Sequence, residues 1–399
     1  GGAVDDDGGA ASAGAGSDVD DDAVAGSGGE RSGSGLSGGG DDGDDDADRP
    51  WAGVFGGPLR DPRLPTPNTA SQPPRWTPRE GRRCIFFLQV SPDPQLSALS
   101  ACAVESAARQ NPGMDVCLAA NGLDARAHAP LWAALGDGVR VIPFDPDHEL
   151  EGNGDPAWAH PPMWSWFKGG AWRRAFRMVQ IGDGLRLYFV WRYGGAYFDL
   201  DMWSLRALDG DARNTVGAQH ENGVNLNGAA LVFDQGSVFL NYSMHRFVDH
   251  FIAAEDKWGW NGPTNIAGAV KELGAHSHMG PSVAARDGSG RPHPDVVRVL
   301  DHRHYYPTLY GDFGEFADEA TSVEAWVASK GGRPYTVHLW AHELLRRLHD
   351  KVDGFARYSQ RSLLARLMQR ACPWVYARCT QHSRTHLCDL GKHYDAADG

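Results

Sequence analysis

The sequence predicts an α/β fold built on a sheet of the nucleotide-binding type. CIFFLQV (84–90) and MDVCLAA (114–120) are short apolar runs of the length expected for buried strands. Between them, SALSACAVESAARQ (97–110) carries small and apolar residues at helical spacing and stops at Asn111-Pro112-Gly113. With VRVIPF (139–144) as a third strand, this alternation of strands and helices is typical of an α/β sheet.

The remaining elements follow from the same patterns. The dinucleotide fingerprint G-x-G-x-x-G is absent after the first strand, which disfavours NAD or FAD. In chain order we predict a helix over roughly 172–193, a Gly-Gly turn, the strand AYFDLDMW (196–203), two strands at 215–221 and 226–233, helices over 237–251 and 262–273, a loop over 275–300, the strand VHLW (337–340) and a closing helix over 355–371.

Charge and composition divide the chain. Residues 1–50 hold 14 acidic residues against two arginines, so nearly all of the net charge of −13 lies there. This segment is too poor in large apolar residues to fold, and we predict a disordered acidic tail. Proline enrichment makes 51–81 an extended linker, followed by one domain over 82–375 and a C-terminal tail over 376–399. The folded part is nearly neutral, which argues against nucleic acid as a partner.

Six cysteines in 399 residues do not make a disulfide scaffold. We expect one or two disulfides in a lumenal protein. The spacing of Cys379, His382, His386 and Cys388 leaves a zinc site as the alternative. No run of 18 apolar residues is present, and the first residue is Gly, so we expect any membrane anchor to lie upstream of this sequence.

The most informative motif is RYGGAYFDLD (192–201). In an extended segment, side chains two positions apart point to the same side, so Asp199 and Asp201 are predicted to share one divalent cation. Oxygen ligands favour Mn²⁺, with Mg²⁺ as the alternative, over zinc. Because two acids would repel a diphosphate, such a pair normally holds the metal that binds the phosphates. A solvated turn and an aspartyl-phosphatase pair are the other interpretations.

The longer stretch GDGLRLYFVWRYGGAYFDLD (182–201) resembles the sugar-binding DXD region of the α-1,4-galactosyltransferase and α-1,4-N-acetylglucosaminyltransferase family, which includes globotriaosylceramide synthases. The resemblance is colinear from about residue 84 to 375. It continues through IFFLQVS, CAVESAARQNP, LNGAALVF, FVDHF, WGWNGPTNIAGAV, YYP (305–307) and VHLW. It implies a GT-A type glycosyltransferase fold, with the DXD motif at the end of a strand of a Rossmann-like sheet.

The resemblance also implies site residues. Asp183 and Arg186 would bind the donor sugar and diphosphate, and His338 would join Asp199 and Asp201 as a metal ligand. Asn227 is a catalytic candidate together with the two acids of the motif. Further donor-binding candidates are Gly194, Gly195, Tyr197 and Gly228.

The acceptor side is assigned to Trp260, Asn261, Gly262 and Pro263, with Trp258 beside them. Each candidate has a structural alternative. Asp183 with Arg186 could cap a helix, His338 could be a core histidine, Asn227-Gly228 could be a turn, and either tryptophan could be core. The family continues VHLW with a loop containing Asn and Lys, whereas here Ala341-His342-Glu343 follows.

By this resemblance the protein is a metal-dependent retaining glycosyltransferase. The resemblance implies UDP-galactose as the donor, with UDP-N-acetylglucosamine as the alternative. The expected acceptor is a glycan on a glycolipid or a glycoprotein. Family members act in the Golgi lumen on a membrane anchor, so 1–81 would be the stem. A glycan-binding protein that kept the fold without activity is the competing hypothesis.

Overall fold

A seven-stranded mixed sheet forms the centre of the computed structural model, with the strand order β3-β2-β1-β4-β7-β6-β8. A separate two-stranded sheet pairs β5 with β9. The strands are β1 (Cys84–Gln89), β2 (Asp115–Ala120), β3 (Val139–Pro143), β4 (Gly195–Phe198), β5 (Met202–Ser204), β6 (Thr215–Ala218), β7 (Leu226–Phe233), β8 (Arg298–Leu300) and β9 (Thr336–His338). The structure describes residues 76–91, 93–152, 155–173, 176–253, 259–273, 297–349, 358–381, 383 and 385–391.

Helices cover both faces of the large sheet. They are α1 (Ala98–Gln110), α2 (Ala129–Leu135), α3 (Pro146–Leu150), α4 (Met163–Gly169), α5 (Arg177–Tyr193), α6 (Val238–Asp249), α7 (Asn265–Glu272), α8 (His302–Tyr305), α9 (Val323–Ser329), α10 (Ala341–His349), α11 (Leu363–Ala371) and α12 (Pro373–Thr380). No helix in these described stretches is long and apolar enough to cross a membrane. The predicted α/β class is confirmed.

The first strand explains why the sheet needs both layers. Ile85 and Phe87 pack into the core that contains α1, α11 and α12, while Phe86 and Leu88 pack into the opposite core with α5 and α6. A strand buried on both faces is expected to be continuously apolar. β1 pairs in parallel with β2 on one side and β4 on the other, whereas β7 runs antiparallel to β4 and β6.

The Gly-Gly turn before β4 is required by the sheet. Gly194 and Gly195 both have positive φ, at 64° and 108°. A Cβ on Gly195 would lie 2.2 Å from the carbonyl oxygen of Cys84, and one on Gly194 would lie 2.7 Å from the backbone nitrogen of Gln235. Only glycine allows β4 to approach β1 this closely.

Three predictions of secondary structure were wrong in part. The run AYFDLDMW is two strands separated by a turn at 199–201, because β5 leaves the large sheet to pair with β9. The predicted loop over 275–300 ends in β8, and its residues 275–296 lie outside the described residues. The closing helix begins at Leu363, where Ser362 accepts a hydrogen bond from the Ala365 nitrogen.

All six cysteines are paired, which is more than the one or two disulfides expected. The pairs are Cys84–Cys117, Cys102–Cys372 and Cys379–Cys388. The zinc interpretation is wrong because Cys379 and Cys388 are bonded to each other; His382 lies outside the described residues.

The expected domain boundaries stay predictions. The acidic tail over 1–50 and most of the linker over 51–81 lie outside the described residues. Of the C-terminal segment over 376–399, the described part includes the end of α12, and Leu387 and Leu390 are buried in the core.

A buried carboxylate on α1 binds the start of α12 and so connects the two ends of the folded chain. Glu105 on α1 accepts hydrogen bonds from the backbone nitrogens of Trp374 and Val375, both at 2.9 Å, at the start of α12. These nitrogens have no partner within their own helix, and a negative charge is favourable at a helix N-terminus. Arg109, one turn along α1, pairs with the same carboxylate at 2.6 Å.

We predict that Glu105→Gln lowers the free energy of unfolding by about 1–3 kcal/mol, because the amide group turns one buried acceptor into a donor facing an N–H. The melting temperature should fall by about 2–4 °C for each kcal/mol, measured by thermal unfolding of the oxidised protein. Glu324→Gln is the matched control, since Glu324 pairs with Arg370 on the surface and its side chain is 77% exposed. Equal melting temperatures for the two variants would contradict the assignment.

Candidate active site

One cavity of about 820 Å³ collects most of the predicted site residues, a volume typical of a small-molecule site. Predicted residues that line it are Asp183, Arg186, Asp199, Asp201, Asn227, Trp260, Pro263 and His338. Predicted residues that do not line it are Gly194, Gly195, Tyr197, Gly228, Asn261 and Gly262. The cavity therefore joins segments that are far apart in the sequence.

The two acids of the DXD motif lie in a turn that follows β4. The Asp199 nitrogen donates to the carbonyl of Ala229 at 2.9 Å, and the Met202 nitrogen donates to the carbonyl of Asp199 at 3.0 Å. The argument from strand alternation was therefore wrong in its geometry, since the motif is not extended throughout. The two acids nevertheless lie close enough to share one ion, because one oxygen of each carboxylate lies within 4.8 Å of the other and of a His338 nitrogen.

His338 reaches the motif through the pairing of β5 with β9, which sets Met202 opposite His338. The Leu339 nitrogen donates to the carbonyl of Asp201 at 3.0 Å. His338 Nε2 lies 3.1 Å from Asp201 Oδ1, and the Ala341 nitrogen donates to Asp201 Oδ2 at 2.8 Å. Burial acts to raise the pKa of Asp201, but His338 and the backbone donors outweigh it, so this pKa lies below its usual value.

Asp199, Asp201 and His338 fit a divalent cation. Within the described ranges they form the one group of three such side chains whose ligand atoms lie this close. Two carboxylates and an imidazole suit Mn²⁺, and Mg²⁺ would accept the carboxylate oxygens. His338 Nδ1 is also a buried polar atom without a hydrogen-bond partner, although Nε2 faces Asp201. A buried ring nitrogen without a partner calls for an explanation, and a bound ion or ligand is one.

Asp183 and Arg186 lie in the middle of α5, so the capping alternative was wrong. Arg186 Nη2 lies 2.9 Å from Asp183 Oδ1 and 3.3 Å from Asp199 Oδ1, which places one guanidinium between two acids. Burial raises the pKa of Asp183 to about 6, against the opposing effect of Arg186. Helix α5 thus places an acid and an arginine, whose opposite charges offset each other, at the cavity wall beside the DXD turn.

Tyr197 supports Asp199 from behind the cavity. Its hydroxyl donates to Asp199 Oδ1, the oxygen that also faces Arg186. The Arg186 guanidinium carbon lies 5.0 Å from the centre of the Tyr197 ring. Both donors act on the same oxygen of Asp199, so its other oxygen is the better placed one for a cation.

Asn227 lies inside β7, so the alternative of an Asn-Gly turn was wrong. Its Nδ2 donates to Gln219 Oε1 at 2.8 Å, and its Oδ1 accepts from the Ala229 nitrogen at 2.9 Å. These contacts fix the amide at the cavity wall. A Cβ on Gly228 would lie 3.4 Å from Arg186 Cδ, so Gly228 lets Arg186 pack closely on β7.

The segment assigned to the acceptor side contains two residues that line the cavity and two that pack behind it. Trp260 is 42% exposed and lines the cavity with Pro263, so the core alternative was wrong for this tryptophan. Asn261 is buried and donates to Gln180 Oε1 at 2.7 Å. A Cβ on Gly262 would lie 2.6 Å from Asp183 Oδ2, so this glycine makes room for the carboxylate. Trp258 lies outside the described residues.

Several lining residues were not found by sequence reasoning. They are Val179, Gln219, His220, Asn225, Gly259, Thr264, Tyr310 and Trp340. Tyr310 lies three residues after the landmark YYP, and Trp340 is the last residue of VHLW, which was the available signal. Ala341, His342 and Glu343, which stand where the family has a loop containing Asn and Lys, also line the cavity.

Two family profiles match consecutive parts of the chain. "Glycosyltransferase sugar-binding region containing DXD motif" matches residues 97–222, and "Alpha 1,4-glycosyltransferase conserved region" matches residues 232–379. The first contains the DXD turn, and the second contains β9 with His338.

Curated relatives agree with these profiles. The human lactosylceramide 4-alpha-galactosyltransferase is 28% identical over 323 residues, which cover 78% of this chain and 82% of that protein. The rat protein of that name is 27% identical, covering 75% and 76%. Human alpha-1,4-N-acetylglucosaminyltransferase is 25% identical over 307 residues, covering 74% and 80%.

Among solved structures, the PaToxG glycosyltransferase aligns with 49% of this chain and 69% of its own, at 14% identity and a TM-score of 0.36. The profiles and the curated relatives identify the chain independently of that alignment, and they agree with a DXD turn placed at the end of a strand in an α/β sheet. The chain belongs to the α-1,4-glycosyltransferase family.

Proposed function

We propose that this protein is a metal-dependent retaining glycosyltransferase that transfers galactose from UDP-galactose, in α-1,4 linkage, to a glycan acceptor. The observation that carries the proposal is the cluster of Asp199, Asp201 and His338 in the same cavity as the Asp183–Arg186 pair. A cation ligand set beside hydroxyl- and phosphate-binding side chains matches what a nucleotide-sugar donor presents.

Mn²⁺ is the proposed cofactor, with Mg²⁺ as the alternative. When bound, the ion would offset the charge that develops on the departing diphosphate. Asp199 and Asp201 would hold it through oxygen, and His338 through nitrogen. His338 Nε2 faces Asp201 Oδ1 at 3.1 Å, so the fold itself holds these two side chains near one another.

The chain's own residues position the donor around this cluster. Arg186 is held between Asp183 and Asp199 and offers its remaining N–H groups to donor oxygens. Asp183 would accept hydrogen bonds from sugar hydroxyls, and the fixed amide of Asn227 lies on the wall formed by β7. Our preferred mechanism is departure and attack on the same face of the sugar, with the leaving phosphate accepting the acceptor's proton.

The proposed donor and acceptor rest on the names of the related proteins. Galactose is preferred because the human and rat galactosyltransferases are similar over three quarters or more of this chain. N-acetylglucosamine is the alternative, since a transferase of that name also matches. The name of the galactosyltransferases points to a glycolipid acceptor ending in lactose, with a glycoprotein glycan as the alternative.

We propose the Golgi lumen as the location, where this chain would be the catalytic part of a membrane-anchored protein. Three disulfides suit an oxidising compartment of the secretory route. The acidic and proline-rich segments would then form the stem.

The decisive test is a donor screen with the full chain. We predict that UDP is released from UDP-galactose with Mn²⁺ and that excess chelator abolishes release. Asp201→Asn should lower kcat/KM by roughly 100-fold or more, because it removes a charged metal ligand. Release faster from UDP-N-acetylglucosamine would establish the alternative donor.

The same screen tests the competing hypothesis of an inactive glycan-binding protein. Turnover with no nucleotide sugar, together with Asp201→Asn behaving like the parent in Mn²⁺ binding, would refute the proposed function. Proton NMR of the new anomeric centre reports whether configuration is retained.

A second prediction concerns Tyr197, which supports Asp199. Tyr197→Phe should weaken Mn²⁺ binding about tenfold, because residues that orient a metal ligand typically contribute this much. Titration of the donor-free protein followed by EPR of free Mn²⁺ measures the affinity directly. Tyr193→Phe is the matched control, since it removes a hydroxyl that bonds to Glu149 outside the cavity. Parent-like Mn²⁺ affinity in Tyr197→Phe would contradict the role.

A further inference from the structure

Tyr310 is an exposed aromatic side chain on the wall of the cavity. It follows α8, where its neighbours Tyr305 and Tyr306 are fully buried, yet Tyr310 itself is 59% exposed. Its ring lines the same cavity as the DXD turn. Tyr and Trp are enriched at binding interfaces, because the side chain has an apolar body and a polar end that can hydrogen-bond.

The ring of Tyr310 is held in place by other aromatic residues. It meets Trp340 edge-on at 5.4 Å between ring centres and Phe313 at 6.1 Å. Trp340 in turn donates from Nε1 to the carbonyl of Thr308 at 3.0 Å, and its ring centre lies 4.0 Å from that of His338. A continuous run of aromatic contacts therefore leads from the metal-ligand candidate His338 through Trp340 to the exposed Tyr310.

Trp340, the middle residue of this run, has a strained backbone. Trp340 has φ of +51°, an unusual value for a residue with a large side chain. Its carbonyl accepts from the nitrogens of Glu343 and Leu344 at the start of α10, and the next nitrogen, Ala341, donates to Asp201. Strain of this kind persists where surrounding contacts over-determine it, and it clusters at functional sites.

The sheet provides a reference for the wall on which Tyr310 lies. In open α/β sheets a nucleotide binds outside the carboxyl ends of the parallel strands, near the point where the strand order reverses. Here that point lies between β1 and β4. Among the described residues, those lining the cavity include none from β1, β2 or β3; the lining comes from α5, the DXD turn, the β6–β7 hairpin and the segments around Trp260, Tyr310 and Trp340. Tyr310 therefore lines a wall of the cavity that is separate from strands β1 to β3.

We propose that Tyr310 is the platform for the acceptor, packing its ring against the apolar C–H face of the hexopyranose that receives the transferred sugar. This rests on the proposed function. Trp260 supplies a second exposed aromatic side chain in the same cavity. A hexopyranose has one face of C–H groups and a rim of hydroxyls, so it suits a fixed aromatic ring beside polar walls such as His220 and Asn225.

The test is acceptor kinetics in the full chain, with lactose and lactosylceramide as the probes. Tyr310→Ala should raise the KM for both acceptors about five- to tenfold, the scale expected for loss of one aromatic contact. UDP affinity in the presence of Mn²⁺ and acceptor-free UDP release from UDP-galactose should stay within about twofold of the parent. Tyr310→Phe, which keeps the ring, should restore the parent's KM.

Control measurements keep the outcomes separate. Val238→Ala removes an exposed apolar side chain away from the cavity and should leave every constant unchanged. If the parent releases no UDP from any nucleotide sugar, the proposed function itself has failed. If the parent is active, three results overturn the assignment of Tyr310: an unchanged KM for lactose, weaker UDP binding in Tyr310→Ala, or an effect confined to lactosylceramide.

Discussion

The site depends on the pairing of two strands, β5 and β9, of three residues each. This short ladder sets Met202 opposite His338 and brings His338 to Asp201 across 137 residues of sequence. Such a small sheet is marginal by itself, so its position must be fixed by its surroundings. Trp203 Nε1 donates to the carbonyl of Leu99 at 3.1 Å, and the Ser204 nitrogen donates to Ser106 Oγ at 2.9 Å.

Those contacts connect the site to the C-terminal helices through α1. The same helix that holds β5 carries Cys102, bonded to Cys372, and Glu105, which binds the start of α12. Helices α11 and α12 therefore contribute to the site although none of their described residues lines the cavity. Their effect is to fix α1 and, through it, the strand that follows the DXD turn.

The second constraint is charge. Four acids, Asp183, Asp199, Asp201 and Glu343, line a cavity in which Arg186 and His338 lie between them. Arg186 contacts Asp183 and Asp199, whereas His338 contacts Asp201. Close backbone packing makes this possible, since Gly262 and Gly228 leave room for Asp183 and Arg186. Asp183, Asp199 and Asp201 are thus each paired with a basic side chain of the chain itself.

Local pattern was sufficient for the regular elements of the large sheet. The buried strands β1 and β2 and the helix between them are specified by composition and by stop signals such as Asn111-Pro112-Gly113. Pattern failed where tertiary pairing replaced local preference. The run 196–203 alternates like one strand. Its second half, β5, pairs with β9 instead of continuing in the large sheet, so a turn forms at Asp199–Asp201. Gly194 and Gly195 were assigned to the donor, and packing against Gln235 and Cys84 independently requires glycine at both positions.

By itself, then, the sequence determined the α/β class, the family and the identity of the metal-ligand candidates, because these depend on short-range periodicity and on motifs read in order along the chain. Tertiary structure decided how those residues meet. It placed Tyr197 behind Asp199, turned Asn261 into a buried support, and exposed Tyr310 beside Trp340. Such roles depend on which side chains remain exposed once distant segments pack, and no local pattern encodes that choice.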